Sequence, residues 1–479
     1  MAVNRPNVLF LMTDQQQAGT LDPGSPCQTP NLDRLARQGT RFTNAHTVNA
    51  ICSPTRASLF TGVYPSQHGM VDCAHAVPDY RARLRTYLEM WSQRLAAHGY
   101  RCGYFGKWHV ERSENLRHFG FEEYDLEGSG ASGFASHRRA LGLPPQPQDY
   151  TVRYAAPHRG YPDYLLYGAY DEPVEGTRAW YDYQHGIDFM QRAAASGCPW
   201  CAFVSHGWPG DPHSVPLAYY QRYDPAEIPV PPSFHDPLAD RPNLYRRQRA
   251  EWRGMSWLDH ARTIACYYAR VTLLDEQTGR ILRALEETGQ ADNTIVVYFN
   301  DHGIMMGAHG LHSLGVFPFE EGYRIPFIIK WPGQGVAGQL CDQPVNTLDL
   351  APTLLEMTGC GPLAQGEGRS LAPLLRGESP ADWPDDSFAE FHGQRYYWTQ
   401  RLVWAGRYKY VFNAFDFDEL YDLRADPYEM RNLAGDPGHQ GVLEEMVGRM
   451  WTHIRAIGDE NMLHSQYGSL RFAPLGPGA

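Results

Sequence analysis

Three features are missing from this sequence of 479 residues: a long apolar run, an excess of positive charge and a framework of paired cysteines. No stretch is apolar over the length that a transmembrane helix needs, so a membrane is not an expected partner. Aspartate and glutamate (54) outnumber lysine and arginine (42), and the net charge of −12 argues against nucleic acid as a partner. The nine cysteines are odd in number and scattered, so no disulfide framework is expected.

The chain also lacks internal repeats and low-complexity blocks. Residues Met1–Pro6 precede the first predicted strand and are fewer than a secretory signal peptide needs, which predicts a cytoplasmic protein. The hydrophobic content of 43% and the charged content of 20% are ordinary for a globular protein. The length accommodates one large domain and a smaller one.

Continuous apolar runs predict strands that are buried on both faces of a parallel sheet. The clearest are Asn7–Met12 (NVLFLM) and Thr294–Phe299 (TIVVYF). Helical periodicity covers Thr86–His98 and the longer segment His260–Gly289. A strand pair is predicted over Gln400–Asn413, so the chain is expected to fold as an α/β protein with a smaller second unit.

The stretch Cys52-Ser53-Pro54-Thr55-Arg56 can be interpreted from the local geometry of a helix start. Pro54 fits the first turn of a helix, which places Cys52 at the helix N-terminus, where unpaired N–H groups favour an anion. Arg56 lies about one turn further on and offers a planar fork of donors. This arrangement suits a nucleophile beside a bound oxyanion, and the alternative is a buried cysteine before an ordinary helix.

Polar residues follow several predicted strands, at the edge where ligands bind in open α/β sheets. Asp14 follows the first strand, and Asp301 and His302 follow the strand Thr294–Phe299. Lys107 and His109 follow a strand predicted over 100–105. The alternatives are a helix cap for Asp14 and a solvated loop for Lys107 and His109.

Four motifs resemble those of the type I, formylglycine-dependent sulfatases, and they occur in the same order and at the same spacing as in that family. The signature Cys-x-Pro-x-Arg is matched at 52–56, with Thr55 and Val63 as mild departures, and the other matches are TPNLDRLA (29–36), GKWH (106–109) and DHG (301–303). The resemblance implies an alkaline-phosphatase-like α/β sandwich with a mostly parallel central sheet and a small α+β C-terminal domain.

The same resemblance implies that Cys52 is oxidised to formylglycine by the formylglycine-generating enzyme. It also implies one divalent cation, with Ca²⁺ as the family's usual ion and Mg²⁺ or Mn²⁺ as alternatives. The implied ligands are Asp14, Asp301, His302 and the modified residue 52, with Gln15 where many members carry a second aspartate. An amide oxygen can bind a hard cation but contributes no charge.

Sulfate binding is assigned by resemblance to Arg56, Lys107 and His109. His213 is the expected donor of a proton to the leaving alcohol, and His206 is its competitor. One departure affects the anion site, because Leu314 stands where the family carries a lysine and His312 stands where it carries a tryptophan. His312 is the candidate replacement for the missing positive charge.

The implied function is hydrolysis of a sulfate monoester of a small molecule or saccharide. The alternatives are a phosphonate monoester or phosphodiester hydrolase of the same fold, which the GKWH element disfavours, and a non-catalytic anion-binding protein. The expected organisation is a catalytic domain over 1–384, with an insertion at 111–175 walling the cleft, and a C-terminal unit over 385–463. The tail, 464–479, is either an irregular end or a clasp that makes a homo-oligomer.

Overall fold

The structure, a computed structural model, describes residues 5–155, 163–414 and 416–464. The predicted tail lies outside these residues except for His464, and the predicted oligomer contact lies there with it. Among the described helices, none combines the length and the apolar character that crossing a membrane requires. The nine cysteines, all within the described ranges, are free thiols.

The strands of the described residues form one large sheet and several small ones. They are β1 (Asn7–Asp14), β2 (Thr40–Phe42), β3 (Ala45–His46), β4 (Arg101–Gly106), β5 (Glu123–Leu126), β6 (Thr151–Ala155), β7 (Tyr164–Tyr170), β8 (Trp200–Pro209), β9 (His213–Pro216), β10 (Thr294–Asn300), β11 (Met305–Met306), β12 (His312–Ser313), β13 (Phe327–Lys330), β14 (Gln339–Cys341), β15 (Val345–Asn346), β16 (Asp386–Phe391), β17 (Gln400–Ala405), β18 (Tyr408–Asn413) and β19 (Glu419–Asp422).

The central sheet has eight strands in the order β14-β2-β13-β10-β1-β8-β4-β5. Neighbouring strands are parallel except around β13, which runs antiparallel to β10 and to β2. The predicted strands at 7–12 and 294–299 are β1 and β10, and they pair in parallel at the centre of the sheet. The prediction of a mostly parallel sheet is confirmed.

The α-helices cover the sheet and connect its strands. They are α1 (Pro30–Gln38), α2 (Cys52–Thr61), α3 (Pro65–His68), α4 (Trp91–Ala97), α5 (Phe134–Ala140), α6 (Arg178–Ser196), α7 (Leu217–Tyr220), α8 (Asn243–Arg249), α9 (Trp257–Glu287), α10 (Glu320–Tyr323), α11 (Leu350–Thr358), α12 (Ala372–Leu375), α13 (Gln440–Ile457) and α14 (Glu460–Leu463).

Strand β1 shows why the fold is a sandwich. Val8, Phe10 and Met12 pack into an apolar cluster that also contains residues of α2, α4 and α11. Leu9 and Leu11 point to the other face and pack into a second cluster with residues of α1, α6 and α9. Because successive strand residues alternate between faces, a continuous apolar run requires helices on both sides of the sheet.

The predicted helix at 86–98 is shorter in the structure, where α4 begins at Trp91. The side-chain oxygen of Gln93 accepts a hydrogen bond from the backbone N–H of Met90 at 2.8 Å and caps the helix there. The helix predicted at 260–289 corresponds to α9. The predicted strand pair at 400–413 is confirmed as β17 and β18, joined by a two-residue turn in which Gly406 has a φ of 56°.

A buried ion cluster joins the small antiparallel sheet β16–β19 to the large domain. The ammonium group of Lys409, on β18, lies 3.2 Å from a carboxylate oxygen of Glu320 on α10 and contacts Glu429. Burial alone would raise the pKa of Glu320, but Lys409 and His46 hold it well below its usual range. Burial raises the pKa of Glu429 to about 8 despite the same lysine. Lys409 is therefore the cation that keeps two buried carboxyl groups together.

Replacing Lys409 with methionine should lower the free energy of unfolding by about 3 kcal/mol, because it leaves buried carboxylate charge without its partner. The measurement is urea denaturation near neutral pH. Lys330→Met, at a half-buried lysine that ends β13, is the matched control and should have a smaller effect. Equal losses in the two variants would contradict the assigned role of Lys409.

Candidate active site

The carboxyl ends of β1 and β10 bring two aspartates together. The two strands are parallel neighbours, with Thr13 opposite Asn300, so Asp14 and Asp301 emerge side by side. The side chain of Asn300 ties the strand ends together, since its Oδ1 atom accepts a hydrogen bond from the N–H of Gln16 at 2.9 Å. Both carboxylates are buried, which is costly unless cations compensate them.

Cys52 is the first residue of helix α2, as the sequence predicts. Every residue of this helix is buried, and it ends at Gly62, whose φ of 72° lies in the left-handed region. The Cys52 Sγ atom lies 3.3 Å from Asp14 Oδ1 and 3.1 Å from His302 Nε2. Burial, followed by the charge of Asp14, raises the pKa of the Cys52 thiol well above its usual value.

Four of the predicted ligands converge in the structure. One potential ligand atom from each of Asp14, Cys52, Asp301 and His302 lies within 4.8 Å of the other three. The Nδ1 atom of His302 lies 2.8 Å from the carbonyl oxygen of Gly303 and donates to it, which leaves the Nε2 lone pair facing Cys52. Two carboxylates and an imidazole form a donor set that fits a divalent cation.

Gln15 lies beside these ligands with a left-handed φ of 64°. Its side-chain amide is paired with Asp211: Nε2 donates to the carboxylate at 3.2 Å, and Oε1 accepts from the backbone N–H at 3.3 Å. Gln15 therefore lies in the cleft, but its amide oxygen is occupied by Asp211. Its role as a ligand stays a prediction.

Two cations balance the buried aspartates. The Lys107 Nζ atom lies 2.6 Å from Asp14 Oδ2 and 3.6 Å from Cys52 Sγ. Burial alone would lower the pKa of Lys107, but Asp14 and Cys52 raise it above its usual value. Burial alone would also raise the pKa of Asp301, but the guanidinium of Arg56 holds it well below its usual range.

Arg56 lies beneath the cleft. Its Nε atom donates to Asp301 at 2.8 Å, and Nη1 donates to Ser205 Oγ and to the carbonyl oxygen of Lys107, each at 2.8 Å. Its Nη2 atom has no hydrogen-bond partner in the described part of the chain. Nη2 lies 3.7 Å from Asp14 Oδ1, so Arg56 contacts both buried aspartates, and Arg56 itself does not line the cleft.

His109 lines the cleft beside Lys107 and adopts a left-handed φ of 53°. Its Nε2 atom lies 3.5 Å from Cys73 Sγ, and its ring stacks on His75 with centroids 5.0 Å apart. Burial, together with the charges of Lys107 and Arg56, lowers the pKa of His109 well below its usual value. His109 is therefore a neutral imidazole at physiological pH.

The cleft is a cavity of about 500 Å³ above Cys52. Its walls include residues 111–114 and 126–129, from the segment predicted as an insertion, and residues 394–395 from the connection between β16 and β17. Leu314, at the position of the family's lysine, also lines it. The cleft thus has an apolar side chain where the resemblance predicts a positive charge.

The remaining predicted histidines lie apart from the cleft lining. His213 and His312 are buried, with ring centroids 6.3 Å apart, and His260 lies 5.9 Å from His312. Neither ring nitrogen of His213 or of His312 has a hydrogen-bond partner among residues 5–155, 163–414 and 416–464. Burial lowers the pKa of His213 to about 3 and that of His312 well below its usual value.

His312 is buried outside the cleft lining and burial lowers its pKa, so the structure does not support it as the replacement for the missing lysine, and that role stays a prediction. His206, the competitor of His213, is also fully buried, and its Nδ1 atom lies 2.8 Å from Asp182 Oδ2. The roles of His213 and His206 in protonating a leaving group stay predictions. The structure brings neither ring to the cleft wall.

Several cleft residues escape the sequence analysis. Glu111, Glu114 and Glu127 line one wall, and Arg395 lies on another. The position of Glu127 could have identified it, because it directly follows β5, a parallel strand of the central sheet. Its backbone N–H donates to the carbonyl oxygen of Gly106 at 2.9 Å. The edge rule that identifies Asp14 applies equally to the residue after β5.

Two family models and several known proteins match this sequence. The family model described as Sulfatase matches residues 6–360, and the one described as N-sulphoglucosamine sulphohydrolase, C-terminal, matches residues 307–456. An ulvan-active sulfatase of Formosa agariphila is 28% identical over 470 residues, covering 95% of this chain and 82% of the relative. The uncharacterized sulfatase YidJ of Escherichia coli is 30% identical over 470 residues, covering 95% and 88%.

A third relative, the N-acetylglucosamine-6-O-sulfatase of Bacteroides thetaiotaomicron, is 27% identical over 493 residues, covering 92% of this chain and 85% of the relative. Among solved structures, the phosphonate monoester hydrolase SpPMH from Silicibacter pomeroyi superposes with a TM-score of 0.81 at 25% identity, covering 96% of this chain and 97% of that one. The fold is thus shared with a protein named for a phosphonate ester, while the sequence relatives are named for sulfate esters.

Metal binding should depend on the ligands around Cys52. Asp301→Asn should weaken divalent cation binding by about tenfold or more, because it removes a charged ligand. The measurement is metal content after dialysis against a limiting cation concentration. A second group with potential ligand atoms within 4.8 Å of one another, Glu127, Asp182 and His206, provides the control. Asp182→Asn should retain the cation, and its loss in that variant alone would locate the site elsewhere.

Stability should fall in acid because of the buried histidines. Burial lowers the pKa of His213 to about 3 and that of His260 to about 4. The unfolded chain therefore binds more protons below a pH of about 6.5, and the free energy of unfolding should decrease as the pH falls from there towards 4. His260→Gln should flatten this decrease by about 1–3 kcal/mol at pH 4. His235→Gln, at an exposed histidine nearby, should leave the slope as it is in urea titrations.

Proposed function

Because the chain belongs to the sulfatase family, we propose that it hydrolyses a sulfate monoester of a small molecule or saccharide, with a formylglycine made from Cys52 and one divalent cation. The observation that carries this proposal is the position of Cys52 at a buried helix N-terminus, with potential ligand atoms of Asp14, Asp301 and His302 within 4.8 Å of its own and of one another. Maturation would require the formylglycine-generating enzyme as a partner.

The residues present fit a divalent cation, and Asp14, Asp301, His302 and residue 52 would hold it. Calcium is our first choice, with magnesium and manganese as alternatives. The bound cation would withdraw charge from a sulfate oxygen and lower the pKa of the nucleophile's hydroxyl. The hydrated aldehyde of formylglycine would supply that hydroxyl for attack on sulfur, and its second hydroxyl would restore the aldehyde as sulfate leaves.

The chain's own residues orient the ester. The N-terminal N–H groups of α2 face the place where the anion sits and favour negative charge there. Lys107 neutralises charge on the nonbridging oxygens from the cleft floor, and Arg56, buried beneath it, adds positive charge from a distance. His109, a neutral imidazole beside Lys107, donates a hydrogen bond. The proton of the leaving alcohol stays assigned by resemblance to His213, with His206 as its competitor, although neither ring lines the cleft.

A second candidate is hydrolysis of phosphonate monoesters or phosphodiesters. The structural likeness to a phosphonate monoester hydrolase supports it. Leu314 also supports it, because the cleft has one positive charge fewer than it would have with the family's lysine at that position. Sulfate monoesters, phosphonate monoesters and phosphodiesters can all bind as monoanions, whereas phosphate monoesters are close to dianions at neutral pH. Since each unit of charge interacts strongly in a dry site, a less positive cleft should disfavour the dianion.

The proposed chemistry is tested on protein co-produced with the formylglycine-generating enzyme. Mass spectrometry of the peptide that contains residues 52–56 should show the oxidised residue, and Cys52→Ala should fold normally but lose turnover because the nucleophile is removed. The assay compares aryl esters that differ in the transferred group: sulfate, methylphosphonate, alkyl phosphate diester and phosphate monoester. We expect sulfate to be cleaved fastest and the phosphate monoester slowest. Full activity of unoxidised protein would contradict the mechanism, and a faster methylphosphonate would establish the second candidate.

A further inference from the structure

The cleft carries opposite charges on its floor and its rim. Lys107 and the N-terminus of α2 make the floor receptive to an anion, whereas Glu111, Glu114 and Glu127 line the wall above it. Because the net charge of the whole chain is −12, an anionic substrate depends on the floor for its attraction. We expect the charges at the rim to determine which alcohol portion of a sulfate ester the cleft accepts.

The two arginines that line the cleft differ, because Arg112 has partners within the wall, whereas Arg395 is exposed and offsets part of the negative charge of the three carboxylates. Arg112 donates to Asp79 at 3.1 Å and to the carbonyl oxygens of Val77 and Ala82, so its charge is used within the wall. Arg395 stands exposed on another wall. The pKa of His75 and that of His109 are both lowered, first by burial, so neither imidazole adds positive charge at neutral pH.

Glu127 differs from its two neighbours on the wall. Glu111 accepts hydrogen bonds from Trp108 Nε1 at 3.1 Å and from the N–H of Ser113 at 2.8 Å, and Glu114 accepts from Ser129 Oγ at 3.0 Å. The carboxylate of Glu127 makes no hydrogen bond that the structure records within the described ranges, and its negative charge interacts with the guanidinium of Arg178. The carboxylate lies close against Gly207, where an added Cβ atom would come within 2.8 Å of it.

A second polar group without a hydrogen-bond partner lies next to Glu127. A ring nitrogen of His206 lies within 4.8 Å of both a Glu127 oxygen and an Asp182 oxygen. Nδ1 of this fully buried ring lies 2.8 Å from Asp182 Oδ2, and Nε2 has no hydrogen-bond partner among the residues described. An exposed carboxylate and a buried imidazole nitrogen thus lie together without a hydrogen-bond partner.

A metal ion is a poor ligand for the group formed by Glu127, Asp182 and His206. The guanidinium of Arg178 already donates to Asp182 at 2.6 Å and to Asp125 at 3.0 Å, so a cation occupies the inner side of the group. Glu127, on the outer side, is exposed to the cleft. An ammonium group offers a single charge and up to three donors, which suits Glu127 and leaves Arg178 in place.

We propose that Glu127 is a specificity-determining residue that selects sulfate esters whose alcohol carries an ammonium group and rejects esters whose alcohol carries further negative charge. This inference rests on the proposed function, because it names the alcohol that the sulfate is attached to. The floor binds the sulfate, and Glu127, which lines the cleft, binds the cation at the opposite end of the molecule.

The test is a charge series of three esters of similar size: aminopropyl sulfate, butyl sulfate and carboxypropyl sulfate. With the oxidised, metal-loaded enzyme, kcat/KM should decrease in that order. Glu127→Gln should reduce the preference for the ammonium ester over butyl sulfate by about tenfold, and Glu127→Lys should favour the carboxylate ester instead. The preference should also weaken as salt is added, because Glu127 is exposed.

Glu122→Gln is the matched control. It removes the same charge at the residue just before β5, where Glu122 pairs with Arg101 outside the cleft lining. An equal response of Glu122→Gln and Glu127→Gln would overturn the proposal, as would a wild-type enzyme that treats the three esters alike. Loss of a bound metal ion in Glu127→Gln would also overturn it and identify a second metal site.

Binding separates this inference from the proposed function. Calorimetric titration of the same three esters into metal-loaded Cys52→Ala protein gives dissociation constants without turnover. The same order of affinities, again reduced in the double variant with Glu127→Gln, would support the role of Glu127 even if no ester were hydrolysed. Turnover of all three esters without any order in their affinities would support sulfate hydrolysis and refute the role of Glu127.

Discussion

Two buried carboxylates, Asp14 and Asp301, impose the main constraint on this molecule. They stand side by side at the ends of β1 and β10, and burial of unpaired charge would cost several kcal/mol for each group. Lys107 and Arg56 lie against them and compensate that charge. A divalent cation in the same place would add two positive charges to this set. The site is thus stable because anionic ligands and cationic substrate-binding groups balance one another inside the sheet edge.

This balance explains why the nucleophile sits where it does. Helix α2 is buried along its whole length, so its N-terminus can be held rigidly against the ends of β1 and β10. Cys52 then lies within hydrogen-bonding distance of Asp14 and His302. A surface helix would not hold the residue in this geometry, because exposed termini move on fast timescales.

The sequence predicts the parts of the site that backbone rules govern. Strand ends place Asp14 and Asp301, and a proline in the first turn places Cys52 at a helix N-terminus; each follows from local pattern and sheet topology. Direction and packing of side chains do not follow in this way. Arg56 turns under the cleft to Asp301, and His312 packs against other buried rings, because tertiary neighbours decide those orientations. Glu127 is missed for a related reason: strand β5 is too short and polar to be recognised from periodicity alone.

Because different elements form the floor and the rim of the cleft, a change of charge has different effects on stability at the two places. The floor is made by strand ends and by α2, where Asp14, Cys52 and Asp301 depend on one another through buried charge. The rim is made by loops and by the short strand β5, where Glu127 is exposed and interacts with Arg178, a cation that also pairs with Asp125 and Asp182. A charge change at the rim therefore costs little stability, whereas the same change at the floor would unbalance the buried set. Under the proposed function, the chemistry of the floor can stay fixed while the rim is altered to suit a different alcohol.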